Sequence, residues 1–93
     1  MRIIALTDEG GFDERDTLRN LVKAAPAQGY TIDEVRAALA VIDRLSGDGP
    51  LRLENAEHAF LCDVLKRQRW TLAAPEIVAL FDKVVGAGEV AAA

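Results

Sequence analysis

Residues 53–70 read LENAEHAFLCDVLKRQRW, and the way that stretch folds decides how the rest of the chain must be arranged around it. Wound as a helix, it brings Leu53, Ala56, Phe60, Leu61, Val64 and Leu65 to one side at spacings of three and four. A stripe that wide needs other apolar stripes to cover it. The same stretch holds the only His (His58), Cys (Cys62) and Trp (Trp70) of the chain, so site chemistry is weighed here first.

The cover comes from three further periodic segments. Asp13 to about Ala25 predicts a helix burying Leu18, Leu21, Val22 and Ala25, with Phe12 packed at its start. Asp13, Glu14 and Asp16 fall in its first turn, where carboxylates complement the positive end of the helix dipole. Pro26 and Gln28-Gly29-Tyr30 then stop it and form a loop. Thr31-Ile32-Asp33-Glu34 has the form of a capping box and opens a second helix over 32–46, with Ile32, Val35, Leu39, Ile42 and Leu45 as its inward stripe. Gly47-Asp48-Gly49-Pro50 reverses the chain. The central helix follows from Glu54 to Arg69, its basic residues at the carbonyl end. Pro75 suits the first position of a fourth helix, which turns Ile77, Leu80, Phe81, Val84 and Val85 inward and is capped by Gly86.

Residues 2–6, RIIAL, form a short aliphatic run ahead of a Gly-containing turn, and Leu51-Arg52-Leu53 is the one other run that alternates like a strand. Neither is stable alone, so the two are expected to pair near Ile3 and Arg52. The fold class that results is mainly α: a compact four-helix domain over residues 1–86 with a minimal two-stranded β-pair, and a fraying tail at 87–93.

Ninety-three residues close one core but bury only roughly 60–65% of the unfolded surface, which leaves little room for a deep substrate cavity. Hydrophobic residues make up 51% of the chain and charged ones 28%, the balance of an ordinary globule rather than a disordered chain. The net charge of -4 repels phosphate backbones at long range and counts against nucleic acid as a partner. The acidic residues crowd the start of the chain as Asp8, Glu9, Asp13, Glu14 and Asp16, too few to mimic a DNA backbone. One Cys forms no internal disulfide, and no apolar run reaches the roughly 18 residues of a membrane span. A cytoplasmic protein with no membrane contact is the expectation.

His58 and Cys62 stand four apart on the central helix, a separation that lets two side chains share a metal ion, and Glu54 lies four before the histidine. A structural zinc site needs four ligands and no second cluster supplies them, so the expectation is no metal and no cofactor: an inert cysteine near the core edge and a surface histidine. Nor is there a third group to complete a cysteine nucleophile and its base, and no catalytic residue is assigned. Lys66-Arg67-Gln68-Arg69-Trp70 places cations beside an aromatic, as single-stranded nucleic-acid binders do; the plainer reading has solvated arginines and a Trp70 that closes the bundle. The last two helices have the shape of a helix-turn-helix, but the fourth exposes Glu76, Ala79, Asp82 and only one cation, Lys83.

The layout also resembles small helical proteins encoded in bacteriophage and prophage genomes. The resemblance rests on the short first strand, the helix entered through Asp13 to Leu18, Val41-Ile42-Asp43-Arg44-Leu45 in the second helix, and Leu51-Arg52-Leu53-Glu54-Asn55-Ala56-Glu57 opening the third. It spans most of residues 2–86 and carries over no site residues. It implies a viral accessory protein that acts by binding a host or phage protein. Both lines converge on a non-enzymatic module for protein–protein interaction, monomeric or a homodimer, of otherwise unknown function, with DNA binding and transcription modulation as the alternative. Its contact residues are expected among Tyr30, Arg67, Arg69 and Trp70, where aromatics and arginines of the kind that dominate interfaces stand together.

Overall fold

The computed structural model describes residues 1–7, 12–24, 26–47, 49–70 and 73–88. Expectations that fall on Asp8, Glu9, Ala25, Asp48 and residues 89–93 lie outside them. The order of elements is β1 (Arg2–Ile4), α1 (Glu14–Lys23), α2 (Ile32–Leu45), β2 (Leu51–Leu53), α3 (Asn55–Arg67) and α4 (Pro75–Val85). The chain is mainly helical with one small β-pair.

The strands run antiparallel with Arg2 opposite Leu53, Ile3 opposite Arg52 and Ile4 opposite Leu51. Residues directly opposite share a face, so Ile4, Leu51 and Leu53 all turn into the core while Ile3 and Arg52 face out. Pairing stops at Ile4 rather than reaching residue 6. The residue that would continue β2 beyond Leu51 is Pro50, which has no N–H to give the ladder. Leu6 still packs on the core from outside the strand. Arg2 lies on the core side of the pair, and its guanidinium reaches past the sheet to donate to the Ala87 carbonyl. Ala87 also packs on the core, so the domain extends at least that far beyond Gly86.

Each helix starts where its sequence offers an oxygen or a proline. Asp13 caps α1 by accepting from the Asp16 amide at 3.1 Å. On α2 the Thr31 hydroxyl accepts from the Glu34 amide at 3.2 Å, and the Glu34 carboxylate accepts from the Thr31 amide at 3.0 Å, a reciprocal box. Pro75 opens α4. α1 ends two residues early, at Lys23, because the residue before a proline is driven out of the helical region and Pro26 stands close behind. α3 also ends early: Gln68 is extended at φ -68° and ψ 132°, so Arg69 and Trp70 are not on the helix.

The core is Ile4, Leu18, Val22, Ala38, Val41, Leu45, Leu51, Leu53, Leu61, Leu65, Leu80 and Val84, all buried. Val64 is buried as well, while Ala56 on α3 is exposed and Phe60 half-buried. The inward stripe expected on α2 is corrected. Ala38, Val41 and Leu45 face the core, whereas Ile32 is 68% and Leu39 60% exposed. Val35 and Ile42 lie half-buried between these two faces. The helix carries two three-and-four-spaced apolar stripes. The one with larger side chains attracts attention in the sequence, and the one containing small Ala38 is the one that α1, α3 and β2 cover.

Polar ties cross the seams. Arg15 on α1 donates to the Leu45 carbonyl at 3.0 Å and to that of Gly49, holding the turn after α2. Gly49 itself sits at φ +81°, a backbone conformation that suits glycine. Glu14 is buried, not simply a dipole partner in the first turn: its Oε1 accepts from the Thr7 amide at 2.8 Å and from Lys83 Nζ of α4 at 2.7 Å. The molecule measures 40 × 34 × 21 Å, its thin dimension about two helix diameters.

Candidate protein-binding site

A groove of about 570 Å³ opens between the loop after α1 and the end of α3. One wall is Ala24, Pro26, Ala27, Gln28 and Tyr30; the other is Val64, Arg67, Gln68 and Arg69. Three of the four residues expected at a contact surface therefore line one feature. The fourth, Trp70, does not: it is half-buried against the core. Extended backbone at Gln68 accounts for the difference, since successive side chains there alternate in direction and Arg69 is the exposed one.

Tyr30 is held in place from both ends. Its hydroxyl donates to the Val22 carbonyl at 3.0 Å, near the end of α1, and its ring meets Phe60 of α3 with centroids 5.9 Å apart and planes tilted by 52°. That spacing and tilt suit an aromatic pair. Burial pushes the phenol above its ordinary range, Arg67 draws it down and Glu34 pushes it up. Gly29, at φ +80°, makes the turn that delivers Tyr30 to the groove, with its amide donating to the Pro26 carbonyl at 2.7 Å.

The two arginines differ. Arg67 pairs with Asp63 one turn earlier at 3.0 Å and stands 3.9 Å from Glu34 on α2, so much of its charge is already answered. Among the described residues the Arg69 guanidinium meets no acceptor; only its backbone carbonyl is engaged, by Gln68 Nε2 at 3.0 Å. Arg69 is thus the cation on this groove that is left for something else. No family model, curated protein or solved structure matches the chain. What the groove does has to be read from its own residues.

His58 and Cys62 lie elsewhere, and His58 is not on the surface. It is 7% exposed, with Nε2 at 2.7 Å from the Val84 carbonyl of α4. A carbonyl only accepts, so Nε2 carries a proton and donates to it. Cys62 Sγ sits 3.4 Å from Nε2 and 3.8 Å from Nδ1. Burial raises the thiol above its usual range, with Lys66 and Arg2 pulling the other way, the opposite of what an activated nucleophile needs. Among the described residues no three of His, Cys, Asp or Glu converge as a metal site would require. His58 therefore ties α3 to the last turn of α4. Its spacing to Cys62 gave no hint of that, because the partner is a backbone carbonyl 26 residues away.

On α4, Glu76, Ala79 and Asp82 face solvent, as expected of that helix, but Lys83 is half-buried and bound to Glu14. No helix among the described residues is long and apolar enough to cross a membrane.

Proposed function

We propose that this chain is a non-enzymatic protein-binding module, a phage-type accessory or regulatory protein acting in the cytoplasm, whose contact surface is the groove bounded by Tyr30, Arg67 and Arg69. The observation that carries the reading is the combination in one groove of a Tyr30 held at both ends and an Arg69 guanidinium that meets no acceptor among the described residues, the residue types around which binding energy concentrates. The groove is open to solvent rather than enclosed, which suits a protruding segment of another protein better than a buried small molecule. Arg69 favours a partner that brings a carboxylate. Nothing comparable supports DNA binding by the α3–α4 pair, since the cation on α4 is already paired and its exposed charges are acidic.

The test is capture from the native cell with the chain immobilised, comparing the wild type with Arg69→Glu. Reversing an exposed charge leaves the thermal melt unchanged, and the reading expects it to remove a specific captured protein. Capture that is identical with both baits would overturn this surface. A mobility shift with duplex DNA at low salt that fades as salt rises would favour the nucleic-acid alternative.

A further inference from the structure

The groove carries more chemistry than its aromatic and its cation. A carboxamide stands on each wall, Gln28 on the loop after α1 and Gln68 at the end of α3. Among the described residues Gln28 has no side-chain partner, and Gln68 engages only its Nε2, which donates to the Arg69 carbonyl at 3.0 Å. Each keeps an acceptor oxygen, and Gln28 keeps its N–H donors as well. A carboxamide offers the same donor and acceptor as a peptide bond, so two of them across a groove suit an extended main chain running between. Ala24, Ala27 and Val64 add small apolar surface to the same groove, which suits a short aliphatic side chain.

Resting on the reading of this groove as the contact surface, we propose that its occupant is an extended peptide segment with a single acidic side chain among neutral and aliphatic ones. The charges around the groove select one carboxylate rather than many. Arg69 is the groove's cation without a partner among the described residues, whereas Arg67 Nε is 3.0 Å from Asp63 and its Nη1 3.9 Å from Glu34. A first carboxylate settles on Arg69. A second reaches Arg67 only against Asp63 and Glu34, and bringing like charges together costs binding. The net charge of -4 works in the same direction at longer range. Polyacidic runs are therefore disfavoured, and so are phosphate backbones, which bring a charge on every unit. Asp63 and Glu34 thus set the selectivity of a groove that neither of them lines.

The probes are short peptides of equal length with blocked ends: alanine and leucine around a central Glu, the same with Gln in its place, and one made only of Glu. Each is titrated to about 2 mM against ¹⁵N-labelled protein, because a contact this small binds in the millimolar range. The single-Glu peptide is expected to shift the amides of 27–30 and 64–69. It should bind about threefold to fivefold tighter than the Gln peptide, the range of an exposed ion pair, and tighter than the all-Glu peptide. Arg69→Gln should erase the preference for Glu over Gln, and Gln28→Ala with Gln68→Ala should weaken both peptides alike. Asp63→Asn, a change at an exposed carboxylate, should bring the all-Glu peptide level with the single-Glu one. No shift with the single-Glu peptide overturns the proposal, as does an all-Glu peptide or a DNA strand that binds the wild type more tightly. An all-Glu peptide that stays weak with Asp63→Asn overturns the part given to Asp63. A captured protein that Arg69→Glu loses, together with no response to the single-Glu peptide, would leave the groove as the contact surface and sink only this occupant.

Discussion

Glu14 shows how a residue that looks explained in the sequence takes on more in the fold. Its place in the first turn of α1 accounts for a carboxylate there, yet the side chain is buried against Thr7 and Lys83. Burial alone would raise its pKa. The Lys83 ammonium and the Thr7 amide outweigh that and hold the carboxyl below its ordinary value of 4.5. A pKa depressed by folding stabilises the native state above the unfolded value, and that contribution disappears as pH falls through the folded one. Glu14→Gln should therefore cost about 1.5–3 kcal/mol at neutral pH, the range for a hydrogen bond to a charged group. The gap to wild type should narrow as urea melts are taken to progressively lower pH below 4.5. A gap that stays constant with pH would mean the ion pair contributes nothing. His58 and Lys83 teach the same lesson from the other side. Their partners are a distant carbonyl and a distant carboxylate, and no local spacing encodes those.

Among the elements, α2 is both the best and the worst reading. Its start is written in four residues, because a capping box is local chemistry, and Thr31 and Glu34 make both bonds. Thr31→Ala should lower stability by about 1 kcal/mol in denaturant melts. Its inward face was legible only in part, because Ile32 and Leu39 are more apolar than Ala38 and a stripe of larger side chains looks like the one to bury. Hydrophobic residues are free to lie outside, whereas a helix can turn only one side to the core. Leu45→Ala should therefore cost about 2–5 kcal/mol, while Leu39→Ala should stay within about 0.5 kcal/mol of wild type. Equal losses in the two variants would restore the stripe that the sequence first suggests. The ends of β1, α1 and α3 were less legible still. Pro50 and Pro26 stop the first two, and each early stop changes where the following side chains point.

At the scale of the whole molecule, hydropathy period and turn chemistry were enough to read four helices, one β-pair and the register near Ile3 and Arg52, because each element must bury a stripe and few arrangements bury all of them. The same information grouped Tyr30, Arg67 and Arg69 as contact candidates, and the fold brings these three to one groove. The sequence offered two readings of Trp70, and the structure has the one in which it packs on the core rather than the one that put it at a contact surface; it missed that Ile32 and Leu39 of α2 stay exposed. Among the described residues twelve buried apolar side chains close the core, and outside it stand an aromatic and basic groove at one place and the exposed Ile32 and Leu39 at another. The most direct test of the central claim is capture from the native cell with the wild type and Arg69→Glu as parallel baits of equal thermal stability. The account predicts a specific protein that the wild type holds and the variant loses. The same proteins held equally by both baits would contradict it.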